Sequence, residues 1–195
     1  ATLNIASGTT FDDQGSNGSR LIGTAGYPGG IVNNAGTYAK SGGGTTFIQT
    51  TFNNTGAVVV SGGALDFSGS GLTSGSYTTL AGGNLSFSDG TRTLSGAVNN
   101  AGSLWSSGGA TTITGPYSGA GAIQVSGGTL SIDSAIASSY VYVAGGTFNA
   151  NSTLAADNLY LYGGTFNAGN TVTAASLVLS GSGTLRGAAT VNAGS

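Results

Sequence analysis

Paired glycines recur along this chain at a near-constant interval, and that interval limits what the chain can fold into. Gly127-Gly128, Gly145-Gly146 and Gly163-Gly164 stand eighteen residues apart, and Gly181-Ser182 continues the series. Upstream, Gly42-Gly43, Gly62-Gly63, Gly82-Gly83 and Gly108-Gly109 keep a looser spacing. A period near twenty residues marks stacked structural repeats rather than one irregular core. It moves the expected role away from catalysis and toward reach, contact and mechanical persistence.

Aligned on that period, the C-terminal half resolves into columns. Ile123, Val141, Leu159 and Leu177 form one, and Val125, Val143, Leu161 and Leu179 the next. Leu130, Phe148, Phe166 and Leu185 form a third, and Ile136, Leu154, Val172 and Val191 a fourth. Within a segment, apolar residues alternate with others, as in Val141-Tyr142-Val143, which is the pattern of a strand with one buried face. Upstream, Phe47, Phe67 and Phe87 lie twenty apart, with Ile113 and Ile132 continuing them. Asn33-Asn34, Asn53-Asn54 and Asn99-Asn100 mark a further corner.

These columns predict an all-β, right-handed parallel β-solenoid of about 9–10 rungs, 18–20 residues each, over residues 1–195. Rungs joined in parallel register stack like on like, with aliphatic files inside and Asn or Thr ladders at corners. The glycines supply corners with positive φ or too tight for a Cβ. The polar stretch at 12–31 reads as an inserted loop, with a smaller insertion near 88–96 where Gly82 and Gly108 lie further apart. Gly8-Thr9-Thr10-Phe11 reads as a match to Gly44-Thr45-Thr46-Phe47, on either side of that loop.

Composition narrows the function. Only 5% of residues are charged, His is absent and the net charge is −2. That is too little positive charge for a nucleic-acid surface or a polybasic membrane patch. No Cys is present, so neither disulfides nor thiolate metal sites are expected. No apolar run approaches the ~20 residues of a membrane span. The acids Asp12, Asp13, Asp66, Asp89, Asp133 and Asp157 do not stack on one another at the repeat register. They read as solvated turn residues, so no catalytic, cofactor or metal site is expected.

Ser126-Gly127-Gly128-Thr129-Leu130-Ser131-Ile132 resembles the passenger repeats of autotransporter and filamentous-haemagglutinin-type bacterial surface adhesins. Val32-Asn33-Asn34-Ala35-Gly36-Thr37 and Phe52-Asn53-Asn54-Thr55-Gly56-Ala57-Val58 resemble the same class. The resemblance implies an extracellular or cell-surface stalk or fibre, non-catalytic and adhesive. Its expected partners are copies of itself, stacked end to end or sideways, or a host-surface or polysaccharide ligand. A carbohydrate-active β-helix enzyme and an ice-binding solenoid are the competing readings. The former would need paired carboxylates, the latter two parallel Thr files; Thr129, Thr147, Thr165 and Thr184 make one.

One outward column offers a surface for contact. Trp105, Tyr142 and Tyr160 fall in it, with Gln124 and Val178. Tyr presents an apolar face and a polar tip, which suits stacking on sugars or on a neighbouring rod. The same residues also read as a β-favouring cross-rung aromatic pair with Trp105 nearby.

Overall fold

The computed structural model describes residues 1–16, 19–22, 29–187 and 190–193. Among them the secondary structure is all strand, and the strand pairs are parallel. Each coil runs along three faces. In one coil Ile31–Asn34 lies on the first face, Thr37–Lys40 on the second and Thr45–Ile48 on the third; Thr51–Asn54 then returns to the first. The third face stacks nine strands among the described residues: Ser19–Ile22, Thr45–Ile48, Gly63–Phe67, Gly83–Phe87, Ser103–Ile113, Ala122–Ile132, Ile136–Val143, Leu154–Leu161 and Val172–Leu179. The stacked coils make a β-solenoid of about eight turns. Eight steps at the ~4.8 Å strand spacing make a rod of roughly 38 Å.

The C-terminal columns pair in the expected register, Ile123 on Val141, Leu159 and Leu177, and Leu130 on Phe148, Phe166 and Leu185. Their burial is nearly complete from Ile123 to Leu161. Each Val, Leu, Ile or Phe side chain so buried contributes about 1.5–3 kcal/mol, which outweighs the modest β propensity of the glycine-rich segments between.

The upstream half departs from the simple series. Thr45 pairs with Ala64, so Phe47 sits beside Asp66 and it is Ile48 that stacks on Phe67 and Phe87. A step of nineteen instead of twenty puts Phe47 on the outer face, because side chains alternate along a strand. Ile113 and Ile132 belong to the first face, above Leu94. The Asn pairs also divide: Asn33-Asn34 and Asn53-Asn54 lie on the first face, Asn99-Asn100 on the second.

Two glycine corners account for the loose spacing. Gly63 pairs with Gly83, at the turn from second to third face. Gly109 follows Gly90 at the turn from third to first face, as do Gly128, Gly146 and Gly164, all with positive φ near 60–75°. The long step from Gly82 to Gly108 is thus a change of corner. The insertion expected near 88–96 holds a ladder strand, Thr91–Leu94, paired with Ser103–Ile113. The insertion expected at 12–31 is likewise interrupted by Ser19–Ile22, which pairs with Thr45–Ile48. The Thr9-Thr10-Phe11 stretch pairs with the second-face strand Thr37–Lys40, so its match to Thr45-Thr46-Phe47 was one of composition. Tyr27 and Pro28 of the expected turn lie outside the described residues.

The interior is not wholly apolar. Asn34 donates to Asn54 Oδ1 at 2.8 Å and to the Ala57 carbonyl at 2.8 Å, and Asn100 donates to Tyr117 Oη at 3.0 Å. Burial raises the Tyr117 phenol to about 12 even with that bond. Lys40 is fully buried and donates to the carbonyls of Gly15, at 3.1 Å, and Gly42. Buried Asp13 accepts from Tyr38 and Thr46.

Arg92 is the boldest exception. It is 2% exposed, and its guanidinium lies 4.8 Å from the Phe67 ring centre and 5.3 Å from that of Phe87. Nε, Nη1 and Nη2 have no hydrogen-bond partner. Burial lowers its pKa to about 10, so at neutral pH the charge remains, and Asp66 and the two rings offset the desolvation cost only in part. Arg92→Met keeps a flexible chain over both rings without the charge. It is expected to raise stability by about 2 kcal/mol in urea denaturation. A loss of stability instead would mean that the ring contacts outweigh desolvation.

Candidate functional site

Trp105, Gln124, Tyr142, Tyr160 and Val178 do follow one another in register, and the file extends further. Phe47, Asp66, Ser86, Trp105, Gln124, Tyr142, Tyr160 and Val178 follow one another in register on the outside of the third face. Trp105 is 39% exposed. It stands two steps from Tyr142, with Gln124 between, so Trp105 and the tyrosines share a file without touching in sequence of stacking. Tyr142 and Tyr160 are adjacent.

Two residues missing from the expected strip complete its C-terminal part. Tyr140 lies 5.3 Å from Tyr160 and 6.0 Å from Tyr142, between ring centres, and Tyr162 lies 5.5 Å from Tyr142 and 6.1 Å from Tyr160. The signal for them was present as Tyr140-Val141-Tyr142 and Tyr160-Leu161-Tyr162, in which alternation puts both tyrosines of each triplet on the same side. The result is a zigzag of four phenols around the apolar centre of their rings. Partial burial raises the pKa of Tyr140, and repulsion from Tyr142, Tyr160 and Tyr162 adds to it.

At the other end of the file, Phe47 and Trp105 flank a groove of about 260 Å³. Its lining includes Thr45, Asp66, Asn84, Ser86 and Ser107. Asp66 is not the solvated turn residue expected from sequence. It lies mid-strand between Leu65 and Phe67, on the outer side, and is only 6% exposed because Phe47 and Ser86 stack on either side of it. Asp66 Oδ1 and Asn84 Oδ1 are both buried without a hydrogen-bond partner.

The other acids are dispersed. Asp12 is exposed and accepts from Gln14 and Ser41, which hold its pKa below the usual carboxylate range. Asp13 points the opposite way, into the interior, as strand alternation requires. Asp89 accepts from the Gly90 amide at 2.7 Å, and Asp133 from Asn151 at 2.7 Å. No group of three or more Asp, Glu, His or Cys able to hold a metal occurs among the described residues.

The first face presents the Thr file as expected, Thr129 on Thr147, Thr165 and Thr184. Beside it runs a second file, Ser131, Asn149 and Asn167, instead of more threonine. Asn149 donates to Ser131 at 2.8 Å and Asn167 to Asn149 at 2.7 Å, so these amides are engaged with one another along the rod. A larger hollow of about 550 Å³ on the second face is lined by small residues such as Ala137, Ala155 and Thr173. It lacks the aromatic flanks of the third-face groove.

Compared with protein-family models, with curated proteins and with solved structures, the chain matches none.

Proposed function

We propose that this chain is a non-catalytic structural and adhesive segment of an extracellular bacterial fibre or stalk. The observation that carries the reading is the division of labour within each coil. Inward positions are committed to stacking, and the outer surface of the third face is given over to a long file of aromatic and polar side chains. A rod built this way transmits load through continuous ladders and offers its length for contact. Its resemblance to adhesin passenger repeats points to the same setting. A parallel ladder of this kind can be continued by a further coil, from the same chain or from a second copy.

Electron micrographs of the purified protein are expected to show rods or filaments. Incubated with polysaccharides, the protein is expected to release no product. Sustained turnover abolished by Asp66→Ala would overturn the non-catalytic reading in favour of a carbohydrate-active β-helix enzyme.

A further inference from the structure

We propose that the groove between Phe47 and Trp105 is a binding site for a neutral oligosaccharide, an inference that rests on the adhesive reading above. Three observations carry it. First, the two aromatic residues stand three coils apart in one outward file, about 14 Å at the ladder spacing. Aromatic faces at such a separation are platforms for the apolar faces of pyranose rings, with a short oligosaccharide spanning between them.

Second, the floor between the platforms holds two acceptors that no protein donor reaches. Asp66 is 94% buried by its 6% exposure, yet its Oδ1 has no partner, and neither has Asn84 Oδ1. A buried carboxylate without a donor is costly, and Asp66 lines the groove, so a ligand hydroxyl that reaches its carboxylate would relieve that cost. Ser86, Thr45 and Ser107 add hydroxyls that can donate or accept. A sugar presents this complement, several hydroxyl donors around an apolar ring face.

Third, the charge at the groove selects against acidic sugars. Among the described residues, no Lys or Arg lines it. Lys40 is turned to the carbonyls of Gly15 and Gly42, and Arg92 lies inside the rod. Arg92 attracts Asp66 from the interior without offering a cation to the ligand. A uronate would meet Asp66 with like charge. The Tyr140–Tyr162 cluster further along the same face extends the surface for longer chains.

Trp105 is the only tryptophan in the chain, so its fluorescence reports on this groove directly. The full chain would be titrated with cellotriose, maltotriose and mannotriose, with trigalacturonate as the acidic counterpart. At least one neutral trisaccharide is expected to change Trp105 emission saturably, with a Kd of about 1 mM or tighter. Asp66→Ala should weaken that binding at least tenfold, and Phe47→Ala, which leaves the carboxylate in place, should also weaken it. Circular dichroism melts would check that both variants fold.

Failure of all three neutral sugars to saturate at about 10 mM overturns the site. Equal or tighter binding of trigalacturonate overturns its chemistry. Wild-type affinity in both variants places the sugar elsewhere. An emission change that follows protein concentration and not sugar assigns the groove to a second copy of the chain. Rods without sugar binding overturn this site alone, whereas isolated particles without rods overturn the parent reading.

Discussion

Gly146→Val is expected to lower the unfolding free energy by about 3 kcal/mol or more. Gly146 turns the chain from the third face to the first with φ +62°. An L-residue held there is disfavoured by about 1–2 kcal/mol from the backbone alone. The larger part is contact. A Cβ at Gly146 would lie 2.5 Å from the Gly128 carbonyl oxygen and 2.6 Å from the Gly127 carbonyl carbon. Those atoms belong to the corner one coil below, so relief requires the two coils to separate, which breaks their ladder. Gly82→Ala is the control. Gly82 also has positive φ, at +88°, but a Cβ there meets nothing within 4 Å. It should cost only the backbone part, about 1–2 kcal/mol. Thermal and urea melts of the two variants separate conformational preference from coil contact. Equal losses would show that close approach of the coils contributes nothing.

Phe148→Ala should cost about 3–5 kcal/mol. Phe148 is fully buried, stacked on Leu130 below and Phe166 above, with 5.4 Å between the two ring centres. The backbone on both sides is held by ladders, so the cavity collapses little and the lost contacts are not recovered. Tyr160→Ala, on the outside of the same coils, should cost much less. The form of the denaturation curve is also diagnostic. Because each coil touches only its neighbours, a weak level in the C-terminal half should let that half unfold before the rest. A lowered urea m-value for Phe148→Ala would record it. A uniform two-state transition with unchanged midpoint would contradict the stacking account of this core.

Much of this architecture was legible because a solenoid writes its contacts into its period. The columns beginning at Ile123, Val125, Leu130 and Ile136 could be read without a structure, since their coils keep one length except for a single added residue near Gly181. The outward placement of Trp105, Tyr142 and Tyr160 followed from alternation on the same register. Phe47 could not be read that way. Its coil differs by one residue from the spacing that joins Phe67 to Phe87, and one residue is enough to reverse a side chain's direction. Arg92 was hidden for a related reason: polar neighbours made Thr91–Leu94 look like a loop, yet the ladder to Ser103–Ile113 turns its side chain inward. The groove could not be seen at all, because Asp66 and Asn84 are ordinary polar residues until Phe47 and Trp105 flank them.

The amino-acid sequence alone determined that this chain would coil, along which residues its C-terminal files would stack, and that its outside would be poor in charge. Repetition makes those properties local, since each coil repeats the spacing of the one before. Only the tertiary structure decided which of two corners each glycine pair serves, which face each Asn pair occupies, and where Phe47, Asp66 and Arg92 point. These depend on the register between coils, which accumulates over every turn and changes with a single added or missing residue. The candidate site belongs to this second group: it is made by four successive coils together, and no single one of them contains it.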